Sequence, residues 1–205
     1  MIGLWEAVGS LGGGLGAPHR DSRHFRGWPV ELFVHDEVSL AHYLAKDLPG
    51  RRPVMHRMVA SGVPLAGDPG EWRDRCARTL AAGPGPLSDA ELARRRYLLT
   101  DLLDDLTHAA DRGERAVIAT VAWITIAEQA LAMAAHWTGS GKWLLRELRD
   151  LDAELAGRWL QARGDSGAIA ALIRLVLGNH GGPLFDGYRV AGERQTVAGG
   201  TVAAS

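Results

Sequence analysis

The sequence predicts an α+β fold: a small N-terminal α/β portion feeding a mainly helical C-terminal bundle. Three observations predict it. One strand pattern stands out near the start, at Trp28–His35, where Val30, Leu32 and Val34 alternate with Glu31, Phe33 and His35. From Asp68 onward, apolar residues recur at helical spacing behind helix-start signals. Between helical stretches, Gly83-Pro84-Gly85-Pro86 is the clearest break in the chain.

Taken in order, residues 1–67 form the α/β portion. Met1–Pro18 is rich in glycine, including Gly12-Gly13-Gly14, and predicts no regular element. After the Trp28–His35 strand, Asp36 predicts a capped helix through Lys46. Arg51-Arg52-Pro53 opens a second helix, with Pro53 in its first turn, ending near Gly62. Val63–Ala66 reads as a second short strand, and no third strand is persuasive. Residues 68–190 form the bundle. Asp68-Pro69-Gly70-Glu71 has capping-box spacing for a helix through Ala82, and Ser88-Asp89-Ala90-Glu91 has it for a long helix to about Ala110. Glu114–Trp137 is a largely apolar helix with few positions suited to water, hence central. Thr138–Gly141 turns the chain, and Lys142–Arg149, Ala153–Ala162 and Ser166–Leu177 complete the set. Residues 191–205 read as a small, polar, disordered tail.

Composition narrows the function classes. The 23 basic and 24 acidic residues nearly cancel, so no whole-chain bias toward nucleic acid or anionic membrane exists. Only Lys46 and Lys142 of the basic residues are lysines. Cys76 is the single cysteine, which excludes an internal disulfide and a cysteine-based zinc cluster and fits a reducing cytoplasm. The apolar run Val117–Ala127 is shorter than the ~20 residues a bilayer needs. The first residues lack the basic stretch of a signal peptide. The expectation is a cytoplasmic protein without nucleic-acid or membrane partners.

Several residues carry candidate chemistry. Gly139-Ser140-Gly141-Lys142 is not a full phosphate loop, because His136 and Trp143 occupy the places of its first glycine and its hydroxyl. It does put a lysine at a helix start, where charge and free N–H groups meet an anion; the plainer reading is a capping turn with a solvated lysine. Asp101, Asp104, Asp105 and His108 share one helical face. That face is either a wall for a cationic ligand carrying a general base, or a solvated face opposite the leucines. Arg94, Arg95 and Arg96, one turn earlier, could neutralise part of it. Asp150-Leu151-Asp152 reads as an N-cap rather than a cation site, and the Arg51/His56 spacing is a weak match to helical ribonucleases.

An ordered run of segments resembles bacterial nucleotidyltransferase-domain proteins, of the DNA polymerase beta-like superfamily that includes the aminoglycoside nucleotidyltransferases. The segments are Arg20-Asp21-Ser22, Phe25–Glu31, Phe33–Asp36, Ala45-Lys46-Asp47, Arg95-Arg96-Tyr97, Thr100-Asp101-Leu102, Asp104-Asp105-Leu106, Gly139–Leu144 and Gly181–Arg189. The resemblance covers about residues 20–190. It implies that the N-terminal portion is the remnant of a mixed sheet. It also implies transfer of a nucleoside monophosphate from ATP or another NTP, with Mg2+, to a small-molecule or protein hydroxyl. By the same resemblance, Glu31 is the third metal-binding carboxylate, and Gly9 and Ser10 the nucleotide-binding pair. Lys142 is then the triphosphate lysine, and Asp101, Asp104 or Asp105 the acceptor-side acid or base. Between Ser10 and Arg20 the family's D-x-D is absent, so about two strands and the metal pair are expected to be missing and transfer impaired. The alternative is a non-catalytic helical interaction protein, self-associating through an exposed edge of the Trp28–His35 strand.

Overall fold

The structure, a computed structural model, describes residues 5–10, as backbone, and residues 17–191. The element order is β1 (Trp5–Ser10), β2 (His19–Phe25), β3 (Trp28–His35), α1 (Glu37–Asp47), α2 (Val54–Ser61), α3 (Gly70–Ala82), α4 (Asp89–His108), α5 (Arg112–Met133), α6 (Lys142–Leu151), α7 (Ala153–Gln161) and α8 (Ser166–Gly178). The fold is α+β, a small mixed sheet followed by a helical bundle.

The sheet has three strands in the order β1-β3-β2, with β1 parallel and β2 antiparallel to β3. Three expectations are corrected here. The Trp28–His35 strand offers no exposed edge for self-association, because it is the central strand and is paired on both sides. The glycine-rich start contains β1, which draws its support from β3 some twenty residues on, a non-local pairing that local composition does not advertise. Val63–Ala66 is not a strand: it crosses between α2 and α3 with Val63 and Leu65 exposed and nothing paired beside it. β2 and β3 form a hairpin closed by Arg26 and Gly27, both at positive φ (50° and 82°). That geometry matches a two-residue turn to the right-handed twist of its strands.

Capping explains most helix starts. Asp36 and Ser39 cap α1 reciprocally, as do Ser88 and Glu91 at α4. Asp111 and Asp152 cap α5 and α7. The expected box at α3 is not formed: Pro69 holds the cap position, and Asp68 instead accepts from the Gly70 N–H at 2.8 Å. α5 ends at Met133, short of Trp137. Ala135 turns left-handed (φ 53°), and the His136 N–H donates to the Leu131 carbonyl at 2.9 Å, closing the last turn without a glycine.

α5 is the centre of the bundle, packed by α4, α6 and α8. It is long and apolar enough to cross a membrane by length and composition, which corrects the reading of Val117–Ala127 alone. Here its Ala119, Ala122, Ile126, Ala127, Ala130 and Leu131 fill the core with Leu99, Leu148, Ile169 and Ile173. Its other face leaves Val117, Val121 and Ile124 exposed. A second, smaller core of Leu40, Leu44, Met55 and Cys76 joins α1, α2 and α3.

Trp123 and Trp159 lock α7 onto α5. Their rings stack at 4.1 Å and 3°, and each indole N–H donates to the other residue's carbonyl, at 2.7 and 2.6 Å. Replacing a large buried aromatic by alanine removes both transfer free energy and packing. Trp159→Ala is expected to cost about 3–5 kcal/mol of unfolding free energy, read as a lowered urea midpoint.

Candidate functional site

Three places carry the candidate residues. The first is the sheet. Glu31 sits in the middle of the central strand, opposite Ser22 in β2 and Glu6 in β1. Its carboxylate is ion-paired to the Arg20 guanidinium, which also lies over the Phe33 ring at 5.3 Å. Asp21 pairs in register with Leu32, so the pleat puts it on the opposite face from Glu31. Gly9 and Ser10 end β1, opposite Val34 and His35; the Ser10 side chain and residues 11–16 lie outside the described residues.

Among the described side chains, the donor set at Glu31 does not fit the implied Mg2+; the side chain of Glu6, opposite it in β1, lies outside them. A hard dication wants six oxygen ligands, several of them anionic or carbonyl. Among the described side chains of that face, Glu31 supplies the one carboxylate, and an arginine already neutralises it.

The second place is the turn before α6. Gly139, Ser140 and Gly141 lead into Lys142, which is exposed. A Cβ on Gly139 would stand 2.8 Å from the Trp143 backbone carbonyl carbon, so the close approach of this turn to α6 requires glycine. Gly141 is the cap residue and provides no side-chain acceptor, which leaves the first N–H groups of α6 without a capping side chain. The turn is anchored from below. The Thr138 N–H and Oγ1 donate to the Arg51 carbonyl at 2.7 and 3.0 Å, and the Thr138 carbonyl accepts from Arg57 at 3.0 Å. Arg57, buried on α2, also pairs with Glu147 of α6 at 2.7 Å. Both Arg57 and Arg146 lie over the Trp143 ring, at 5.0 and 4.8 Å.

His136 Nε2 lies 3.1 Å from Glu147 and 3.7 Å from Asp150, bringing three ligand-type atoms together. Arg57 answers the Glu147 charge, so the trio reads as part of the anchoring network. The sequence reading missed Arg57, Glu147 and His136. Arg57 lies 81 residues from Thr138, and no local spacing signals such a pair.

The third place is the α4 face. Asp101, Asp104, Asp105 and His108 are all exposed. Asp104 and His108 approach at 3.0 Å and line a groove of about 370 Å³ with Thr100, Leu103, Thr107, Arg174 and Phe185. The arginines one turn earlier do not neutralise this face. Arg95 donates to Gln129 at 2.7 Å, and Arg96 holds the carbonyls of Gly181 and Gly182 at 2.7 and 2.9 Å. That clamp, with Tyr97 stacked on Tyr188 at 4.2 Å, folds residues 181–188 back along α4. Among the described residues, Glu31, Lys142 and the α4 carboxylates make no hydrogen bond or ion pair with one another.

No family model, curated protein or solved structure matches this chain.

Two buried histidines flank the junction between sheet and helices. His35 ends β3 against Tyr43, and His56 lies on α2; among the described residues, the Nδ1 atom of each lacks a hydrogen-bond partner. Burial holds both below the ordinary histidine value of 6.5, although Asp36 and Asp47 respectively pull the other way. The unfolded chain therefore binds more protons than the fold below about pH 6.5, and stability falls as pH drops through that window. The capping carboxylates of Asp36 and Glu91 sit below their ordinary values of 3.8 and 4.5, so their contribution is lost only at lower pH. Urea midpoints measured between about pH 8 and about pH 5 should fall on acidification, and His56→Leu should flatten the fall. An unchanged midpoint across that range would contradict the burial argument.

Proposed function

We propose that the chain is a cytoplasmic nucleotidyltransferase-family protein that binds the phosphates of a nucleotide at the turn Gly139–Lys142. Its transfer of a nucleoside monophosphate to a small-molecule or protein hydroxyl is impaired. The observation that carries the binding is the turn itself: a rigidly anchored helix start, uncapped by any side chain, with an exposed lysine as its first residue. The Trp143 N–H is taken by the Ser140 carbonyl at 3.1 Å, but the partial positive charge of the helix start and the full charge of Lys142 suit a polyphosphate. In the reaction the family performs, an acceptor oxygen attacks the α-phosphorus and pyrophosphate leaves. The acceptor's proton goes to a carboxylate. Asp104, in its groove, is the α4 carboxylate best placed to meet a cationic acceptor, with Asp101 and Asp105 beside it. The impairment rests on Glu31, the one carboxylate among the described side chains of its face, held by Arg20.

A second reading, a non-catalytic interaction protein, is favoured by the exposed apolar stripe Val117, Val121 and Ile124 on α5. Titration calorimetry separates the two. ATP is expected to bind with or without Mg2+, and Lys142→Ala should weaken it roughly tenfold through loss of one charge-assisted contact. No ATP binding in either condition would favour the interaction protein. Transfer of labelled AMP that Glu31→Gln abolishes would overturn the impairment.

A further inference from the structure

β2 is the outer strand of the sheet and is exposed from His19 to Phe25 apart from a half-buried Asp21. Among the described residues, no strand lies beside its outer edge. A two-residue hairpin loop closes on a hydrogen-bonded pair, here Phe25 with Trp28. Alternation along an antiparallel ladder then turns the peptide groups of Phe25, Arg23, Asp21 and His19 toward β3. Those of His24, Ser22 and Arg20 point outward, free to pair.

We propose that β2 of one chain pairs antiparallel with β2 of a second copy about a two-fold axis through Ser22, independently of the nucleotide reading. This register sets Ser22 opposite itself and Arg20 opposite His24, so all the outward peptide groups find partners. It sets Asp21 opposite Arg23 twice, at the non-hydrogen-bonded positions where side chains come closest. Within one strand, Asp21 and Arg23 already lie 3.5 Å apart on one face, so the two copies build a ring of four alternating charges. Arg20, the other cation, has its charge answered by Glu31 of its own chain. Phe25, 61% exposed at the hairpin end, would meet His19 of the second copy.

Charged edges often protect a sheet from pairing. The order of charges here argues otherwise. Sliding the register by one step of the ladder in either direction would put Asp21 opposite Asp21 or Arg23 opposite Arg23. The sequence repels both neighbouring registers and favours the one centred on Ser22. The product is a six-stranded sheet, three strands from each copy, with an isologous interface that closes at a dimer.

Sedimentation of the full chain over a wide concentration range tests this. The expected species is a reversible dimer at twice the 22.0 kDa chain mass. Asp21→Arg or Arg23→Asp alone should raise the dimer dissociation constant roughly tenfold or more by opposing like charges. The two together, which restore the alternating ring, should recover wild-type association. Ser22→Pro removes an outward N–H without touching the ladder to β3, and should leave a monomer with unchanged circular dichroism. A wild-type chain that stays monomeric at every concentration overturns the proposal. So does a dimer indifferent to Asp21→Arg and Ser22→Pro.

Discussion

The buried guanidinium of Arg57 is the interaction on which the rest of the molecule leans. It is 7% exposed, and a cation so placed is tolerable only if fully paired. Its partners, the Glu147 carboxylate and the Thr138 carbonyl, belong to α6 and to the turn before it. Arg57 itself belongs to α2, which packs on α1, α3 and β1. One side chain therefore fastens the sheet-bearing half to the bundle. Leaving such a group half-paired costs about 3–5 kcal/mol, a large share of any domain's stability. Arg51 supports the same joint from a left-handed backbone (φ 53°), a conformation an arginine holds only when its surroundings insist. They do: its carbonyl accepts twice from Thr138, and its guanidinium donates to the Gly85 and Pro86 carbonyls.

The position of the candidate phosphate turn follows from that joint. Gly139 can press against Trp143 because Thr138, one residue earlier, is held on three polar atoms. Trp137, two residues earlier, donates its indole N–H to the Leu80 carbonyl at 2.9 Å, so α3 grips the same loop. A turn anchored this way presents Lys142 and the α6 N–H groups without reorganisation on binding, which is where much of a ligand's affinity is otherwise lost.

How much of this was legible in the sequence divides by range. Caps are local chemistry, and Asp36, Ser88 and Asp152 were readable as such. So was the α+β layout, since the helical period and the glycine–proline break at 83–86 depend on near neighbours. β1 was not legible, because its support comes from β3 rather than from its own composition. The hairpin turn was hidden because Arg26 takes the left-handed place more often filled by asparagine or glycine. The end of α5 was hidden in the same way by Ala135. At the site, Lys142 and the α4 face could be picked out by position, but what anchors them could not. Arg95 and Arg96, read as neutralising the acidic face, turn instead to Gln129 and to the chain after α8. A guanidinium reaches far, and the choice among distant acceptors is made by packing.

The pleat explains why β2 adds no carboxylate to Glu31, whose register neighbour in β1 is Glu6. Residues opposite one another in a sheet share a face, so a second carboxylate converging with Glu31 from β2 would have to come from position 22, where the chain has serine. Asp21, the acid β2 does carry, is one residue away and therefore on the other face, paired with Leu32 and 3.5 Å from Arg23. No adjustment of side-chain rotamer can bring it round; only a one-residue slip would, and that would turn Phe25 and Arg23 over as well. Meanwhile Arg20, on the Glu31 face, supplies the positive charge that a metal would otherwise supply. Among the described side chains, the Glu31 charge is thus answered without a metal cation. The same parity that keeps Asp21 from Glu31 puts it on the face where Arg23 of a second strand could reach it, so the feature that weakens a metal centre is also what gives the open edge its charge pattern.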